Sequence, residues 1–167
     1  PTRRSSDLTV RGGGSGTGGA ALTAGVVVLL EGAFWNEEPE PLDGGEAVRI
    51  RPGTSYTELA SILAPLGRSI PADPSSASIS TLGGNIATRA SGPHAFRHGS
   101  MDRYLRRLSV VDGSGTLFRT DHSVSRSRAA RLTALREALS QEFEERVWAH
   151  EKIKSAAGPR LSHFLSD

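Results

Sequence analysis

The sequence predicts an α+β fold in which a mixed sheet is flanked by helices. Three observations support this class. Short runs of strand length occur on both sides of a glycine-rich segment near the start of the chain. A helix with a complete N-terminal capping signature follows them. Further along, two strand-like runs flank an Asp-Gly-Ser-Gly turn, which is typical of a hairpin.

The first strands lie around the glycine-rich segment. LTVR leads into it, and GVVVLLEG, from Gly25 to Gly32, is a continuous apolar run suited to a strand buried on both faces. NEEPEPLDGG is rich in acid, proline and glycine, which predicts a solvated loop or a turn between strands. AVRIRPG alternates apolar and basic residues, as a half-buried strand does, and its Pro-Gly pair ends it.

The first helix begins after that strand. Ser55 and Glu58 have the spacing of a capping box, in which each side chain bonds the other residue's backbone amide. Gly67 predicts the end of the helix. The apolar positions with helical spacing are Leu59, Ile62, Leu63 and Leu66.

The hairpin, LRRLSVVDGSGTLFRT, turns at Asp112 to Gly115. From Arg128 onward the pattern predicts a long helix with one apolar stripe, which we expect to pack on its own domain. A coiled coil or a helix that binds a partner is the alternative. The stripe comprises Leu132, Leu135, Leu139, Phe143 and Val147.

Composition excludes several classes of protein. The 167 residues carry a net charge of only +2, so nothing in the charge indicates nucleic-acid binding. No cysteine is present, which excludes a disulfide scaffold, a thiol nucleophile and a cysteine-ligated metal within this chain. No apolar run approaches the roughly 18 residues of a membrane span. We therefore expect a cytoplasmic protein, with peripheral attachment to the inner membrane as the alternative.

The glycine-rich segment, RGGGSGTGG, holds six glycines in the eight positions from Gly12 to Gly19. It formally contains G-x-G-x-x-G, but too few residues separate it from the next strand for the helix of a dinucleotide-binding βαβ unit. It also lacks the G-K-[ST] of a P-loop. Consecutive bare amides can still bend into a concavity that binds a phosphate or diphosphate. A flexible linker is the alternative reading.

A second segment, SIPADPSSASISTLGGNIATRASG, runs from Ser69 to Gly92 and is rich in small hydroxyl residues. It contains almost no charge before Arg89, unlike an ordinary surface loop, and long loops of this kind are usually functional. Its NIATRA portion is suited to a short helix. A polar surface loop is the alternative reading.

Together these motifs resemble a known family. RGGGSGTGGA, then PADPSSASISTLGGNIATRASGPHAFRHG, then VVDGSGTLFRT are similar to the PCMH-type FAD-binding domain of the vanillyl-alcohol oxidase superfamily. The resemblance is greatest to its D-lactate dehydrogenase, glycolate oxidase and D-2-hydroxyglutarate dehydrogenase group. It runs from about Leu8 to Thr120 and implies FAD as the cofactor.

The resemblance implies that both segments bind FAD. The first would surround the cofactor's diphosphate, and it comprises Arg11, Gly12, Gly13, Gly14, Ser15, Gly16, Thr17, Gly18 and Gly19. The second would line the flavin, and it comprises Asp73, Pro74, Ser75, Thr81, Gly83, Gly84, Asn85, Ala87, Thr88, Ser91 and Gly92. Since a carboxylate repels phosphate, we expect Asp73 to turn the loop or to meet the ribityl or ring end of FAD.

The chain departs from the family pattern at two places. Arg89 replaces an asparagine, and in the stretch Arg97 to Gly99 a histidine, His98, stands where the family usually has tyrosine. Some relatives attach FAD covalently through a histidine in the phosphate loop. This chain has none between Arg11 and Ala21, which predicts non-covalent FAD.

The predicted organisation is a flavin domain truncated at both ends. Residues 1–8, PTRRSSDL, resemble a translated sequencing adapter and are expected to be non-native. Residues 9–121 form a partial FAD-binding domain. Residues 122–167 form a helical extension that leads toward a substrate domain outside this chain, and the fragment alone is expected to be inactive.

The leading hypothesis is an FAD-dependent dehydrogenase or oxidase of a small D-2-hydroxy acid, in which a hydride passes to flavin N5. Its partners are then that acid and an electron acceptor, namely a quinone, oxygen or a redox protein. No metal site is assigned, because the five histidines show no metal-binding spacing. No catalytic residue is assigned, because the resemblance implies that relatives take the base and the carboxylate-binding residues from a C-terminal substrate domain. The alternatives are a UDP-N-acetylenolpyruvoylglucosamine reductase-like flavoenzyme and a noncatalytic nucleotide- or phosphate-binding module.

Overall fold

The computed structural model describes residues 8–30, 38–120 and 129–139. The chain divides into two units, one ending at Tyr104 and the other beginning at Leu105. The α+β class is confirmed, because helices occur together with parallel and antiparallel strand pairs. The described part of the chain contains three two-stranded sheets, of which one is parallel and two are antiparallel.

The strands pair in chain order. β1 and β2 are parallel, whereas β3 pairs with β4, and β5 with β6, in antiparallel register. The described strands are β1 (Leu8–Arg11), β2 (Val26–Leu29), β3 (Glu40–Leu42), β4 (Ala47–Arg49), β5 (Ser109–Val111) and β6 (Leu117–Arg119).

β1 and β2 run side by side from Leu8 opposite Val26 to Arg11 opposite Leu29. The expectation that β2 is buried on both faces was wrong, because Val26 is 57% exposed and Leu29 is 51% exposed. A strand's faces are buried only where other elements pack on them, and among the described elements β1 and β2 have their main contacts with each other. The connection between these parallel strands is the glycine-rich loop itself, and it contains no helix.

Part of the acidic segment expected to be a loop or turn is a strand. Glu40 to Leu42 pair with Ala47 to Arg49, and a 3₁₀ turn at Asp43–Gly45 joins them. An ion pair between Glu40 and Arg49, 2.6 Å long, links the exposed ends of the two strands. Only the residues between the strands form the predicted turn.

The first helix, α1 (Tyr56–Leu63), has the predicted capping box at Ser55. A 3₁₀ turn, Ala64–Leu66, extends it to Gly67, whose φ of +64° ends it as predicted. One face of α1 contributes to the core of its unit. The buried apolar side chains of that core are Leu59, Leu63, Ala72, Leu82 and Met101.

Backbone hydrogen bonds join the start of α1 to the second predicted cofactor segment. Tyr56 N donates to Ser80 O at 3.2 Å, Leu82 N to Thr54 O at 2.8 Å, and Gly83 N to Pro52 O at 2.9 Å. These bonds hold residues 80–83 in place against the start of α1 and the residues that precede it.

The second unit contains the predicted hairpin. β5 and β6 flank a turn in which Asp112 Oδ1 accepts hydrogen bonds from the backbone amides of Ser114 and Thr116. A helix covers residues 129–139, and Leu132 and Leu135 are 45% and 51% exposed there. The expected packing of the apolar stripe is therefore absent at these two positions, and Phe143 and Val147 lie outside the described residues. None of the described helices is long and apolar enough to cross a membrane.

Candidate cofactor site

The two predicted cofactor segments meet in the structure, although they are far apart in sequence. Gly12 and Gly13 lie so close to the second segment that neither position has room for a side chain. A Cβ atom at Gly12 would overlap Thr81 Oγ1, and one at Gly13 would overlap the carbonyl oxygen of Ile79. These two glycines are thus required by contact within the protein.

Gly14 is restricted by its own conformation and by Arg11. Its φ is +66°, a backbone conformation that favours glycine, and a Cβ there would lie only 2.7 Å from Arg11 Cζ. The Arg11 guanidinium therefore lies against the turn of the loop. Its Nε is buried and has no hydrogen-bond partner.

The outer part of the loop is open. Gly16 and Gly18 have no atom within 4 Å of the position that a Cβ would occupy. Thr17 is exposed, and Ser15 is half-buried. Because the protein itself does not require glycine at 16 and 18, these are the positions at which a ligand can approach the backbone amides.

The second segment contains a short helix, α2 (Leu82–Ala87), with Thr81 as its N-cap residue. The helix begins earlier than the NIATRA portion that was expected to form it. Thr81 is buried, yet its Oγ1 has no partner and makes no capping bond. The hydroxyl therefore lies between the two segments with its hydrogen-bonding capacity unused.

Other predicted residues of this segment support its structure. Asn85 is buried and donates from Nδ2 to Ser80 Oγ at 3.1 Å. Gly83 packs on Pro52, where a Cβ would lie 2.7 Å from the proline Cβ, and Thr88 Oγ1 donates to Gly84 O at 2.9 Å. Ala87 is exposed, Pro74 is buried and Ser75 is exposed.

The segment ends against Asp73. A Cβ at Gly92 would overlap the carbonyl and carboxylate oxygens of Asp73, so the chain closes tightly there. Asp73 Oδ2 lies 2.7 Å from Nδ1 of His94, while Oδ1 is buried without a partner. The hydrogen bond with His94 holds the pKa of Asp73 below its ordinary value.

The unpartnered atoms test whether these residues fit a cofactor. Four of the five buried side-chain atoms without a partner in the described residues belong to predicted site residues. Buried polar groups are nearly always hydrogen-bonded, so such a group of exceptions fits a ligand with both donors and acceptors. The four atoms are Arg11 Nε, Asp73 Oδ1, Thr81 Oγ1 and Ser91 Oγ, and the fifth is Thr54 Oγ1.

Sequence reasoning missed Thr54 and the contact of His94 with Asp73. Thr54 is fully buried, and its carbonyl accepts from Leu82 N. Its place directly before a capping serine was the only signal in the sequence. The His94 contact joins residues 21 positions apart, and spacing alone does not predict it.

Arg89, the departure from the family pattern, forms a partly buried network. Its Nε donates to Asp102 Oδ2 at 3.1 Å and its Nη2 donates to Ser100 Oγ at 2.9 Å. Ser100 Oγ in turn donates to Asp102 Oδ1 at 2.6 Å. Burial raises the pKa of the Asp102 carboxyl, but the hydrogen bonds from Ser100 and Arg89 outweigh it and lower the pKa below its ordinary value.

This network predicts a pH dependence of stability. Because the folded-state pKa of Asp102 is depressed, its contribution is complete above the unfolded-state pKa of about 4 and is lost as the pH falls through the lower folded value. We expect Asp102→Asn to lower the free energy of unfolding at pH 7 by about 1–3 kcal/mol, and by less at pH 3. Urea denaturation at the two pH values measures this. An equal loss at both would contradict the assignment.

The described residues contain no group of three or more histidine, cysteine or acidic side chains arranged to hold a metal ion. The described site residues offer backbone amides, hydroxyls, one carboxylate and one guanidinium. These groups bind a polar, phosphate-bearing ligand through hydrogen bonds.

Comparison with known proteins identifies the class. Residues 2–121 match the family described as FAD binding domain. The chain belongs to this family of flavoproteins, and FAD is its cofactor. The predicted PCMH-type resemblance is therefore confirmed.

Particular relatives fall in the expected group. The chain is 30% identical over 116 residues to the glycolate oxidase subunit GlcD of Escherichia coli, with 68% of this chain and 23% of the relative covered. It is 37% identical over 111 residues to a D-2-hydroxyglutarate dehydrogenase of Pseudomonas putida, with 66% and 11% covered. It is 28% identical over 120 residues to a D-lactate dehydrogenase of Anaerostipes hadrus, with 72% and 25% covered.

A similar fold occurs in a solved alkyldihydroxyacetonephosphate synthase, with a TM-score of 0.56 and 24% identity. The match covers 73% of this chain and 23% of the synthase. The chain thus spans about a quarter or less of the length of these relatives.

Proposed function

We propose that this chain is the cofactor-binding part of an FAD-dependent dehydrogenase or oxidase that acts on a small D-2-hydroxy acid. The observation that carries the proposal is the packing of Gly12 and Gly13 on residues 79–81, which brings two flavoprotein motifs together. The relatives named for glycolate, D-2-hydroxyglutarate and D-lactate support the substrate class.

The residues of the two segments divide the binding of FAD between them. The open backbone amides at residues 15–18 are suited to the diphosphate, and the Arg11 guanidinium supplies a positive charge behind the loop. Thr81 and Ser91 offer hydroxyls, and Asp73 offers an acceptor for a hydroxyl or imide N–H. When bound, FAD supplies the acceptor for the hydride that leaves the α-carbon of the substrate.

We assign no substrate-recognising residue within the described segments. A 2-hydroxy acid requires a cation for its carboxylate and a base for its hydroxyl, and we assign neither here. We propose that residues 9–121 form the cofactor-binding part and that residues 122–167 form a helical extension of it.

The substrate class is tested with the protein encoded by the complete gene. We expect D-lactate, D-2-hydroxyglutarate or the achiral glycolate to abolish the visible absorbance of the oxidised flavin under anaerobic conditions. L-lactate and L-2-hydroxyglutarate should act far more slowly. Reduction by NADPH in place of every hydroxy acid would favour the enolpyruvoyl reductase alternative. A chain that binds phosphate but leaves the FAD spectrum unchanged would favour the noncatalytic module.

FAD is expected to be held without a covalent bond, because the loop from Arg11 to Ala21 contains no histidine. Denaturation of the FAD-loaded protein followed by filtration should therefore release essentially all the flavin into the filtrate. Flavin absorbance retained with the denatured protein would contradict this.

A further inference from the structure

The contact between His94 and Asp73 indicates a function for a histidine that no motif identifies. A carboxylate only accepts hydrogen bonds, so His94 Nδ1 must carry the hydrogen in their 2.7 Å contact. The imidazole is otherwise exposed, with 68% of its side chain accessible. The imidazole therefore lies at the surface of the protein while it bonds Asp73.

The contact leaves the two carboxylate oxygens of Asp73 in different situations. Oδ2 is occupied by His94, whereas Oδ1 is buried and has no partner. Gly92 lies against the same carboxylate, and the neighbouring Ser91 also has a buried hydroxyl without a partner. Asp73 Oδ1 is thus an unused hydrogen-bond acceptor, and the neighbouring hydroxyl of Ser91 is also unused.

We propose that His94 is a positioning residue for FAD, which holds the Asp73 carboxylate ionised and oriented so that Oδ1 accepts a hydrogen bond from the cofactor. This rests on the proposed function of the two segments. The donor would be a ribityl hydroxyl or the ring imide, because the diphosphate offers no donor and would repel a carboxylate.

The charge state of Asp73 supports this role. The hydrogen bond from His94 lowers the pKa of Asp73, so the carboxylate stays ionised to a lower pH than an ordinary aspartate. Among the described residues, the Tyr56 phenol also interacts with Asp73, and its pKa is raised by burial and by the charge of Asp73. Tyr56 therefore stays neutral over the acidic range in which Asp73 titrates.

The test measures FAD affinity of the protein encoded by the complete gene, by quenching of flavin fluorescence, in wild type, His94→Ala, Asp73→Asn and the double variant. We expect His94→Ala and Asp73→Asn each to weaken FAD binding about tenfold, as loss of a hydrogen bond to a charged group does. Because His94 acts through Asp73, the double variant should be no weaker than Asp73→Asn alone. His94→Asn, whose amide can donate near the position of Nδ1, should restore most of the affinity.

The pH profile separates this role from a structural one. In His94→Ala the pKa of Asp73 should return toward its ordinary value, so FAD affinity should begin to fall at a higher pH than in wild type. Phe96→Ala is the matched control and should match wild type. Its side chain lies in the short helix Ala95–His98, which directly follows His94, and is fully exposed. Circular dichroism confirms that each variant is folded at each pH.

The outcomes distinguish this proposal from the assignment of the cofactor. The role of His94 would be overturned if FAD affinity and its pH profile were the same with and without His94, or if the losses in the double variant were additive. Either result would leave the cofactor site itself in place. A folded wild-type chain without affinity for FAD would overturn the cofactor site of this chain and this role with it.

Discussion

Replacing Gly13 by alanine is expected to destabilise the chain and to weaken FAD binding together. The new Cβ would overlap the carbonyl oxygen of Ile79 and lie 2.9 Å from its carbonyl carbon, and this backbone is held by the hydrogen bonds around Ser80. Overpacking of this kind costs about 1–3 kcal/mol. Separation of the two segments should also weaken FAD binding at least about tenfold, which corresponds to about 1.4 kcal/mol.

Gly16→Ala and Gly113→Ala are the matched controls, because a Cβ at either position has no neighbour within 4 Å in the protein. Both should leave the free energy of unfolding within about 0.5 kcal/mol of wild type. Gly16→Ala should nevertheless weaken FAD binding, because its Cβ would hold the diphosphate away from the loop amides, whereas Gly113→Ala should not. Urea denaturation without FAD and fluorescence titration with FAD measure the two effects. A Gly13→Ala chain as stable as Gly16→Ala would contradict the close approach of the segments.

Replacing Leu82 by alanine is expected to have the second large effect. Leu82 is 1% exposed and packs in the core at the start of α2, directly after Thr81. Loss of a buried leucine side chain costs about 2–5 kcal/mol, a large part of the stability of a small domain. The start of α2 should then loosen, and FAD affinity should fall with the stability.

Ile79→Ala controls for this change within the same segment. Ile79 is 62% exposed, and its contact with Gly13 is made by the main chain, which alanine keeps. Its free energy of unfolding should stay within about 0.5 kcal/mol of wild type. Chemical denaturation of both variants gives the comparison. Equal losses would show that the core does not centre on Leu82.

The sequence predicted the elements whose signals are local. The capping box at Ser55, the glycine stop at Gly67 and the hairpin turn at Asp112 all appear where expected. Each depends on residues within a few positions of one another, so spacing and residue type suffice to recognise them. The burial of β2 was predicted wrongly, since burial depends on which elements cover a strand and a strand's own apolar run does not specify them.

The two cofactor segments also show what sequence signals predict and what depends on tertiary contacts. The residue types of the first segment predicted a phosphate-binding loop, and the resemblance implied that the second segment lines the flavin. The sequence offered one reason for all six glycines, namely bare amides that meet a phosphate. The structure separates them, because Gly12 and Gly13 are required by packing on residues 79–81, while Gly16 and Gly18 are open.

By itself, then, the sequence determined the class of the fold, the family and the cofactor, because motif residues and their order carry that information. Only the tertiary structure decided which glycines contact protein, which polar atoms lack a partner and that His94 bonds Asp73. The physical reason is that these properties arise between residues brought together by folding, and no local pattern specifies a distance between segments that lie far apart along the chain.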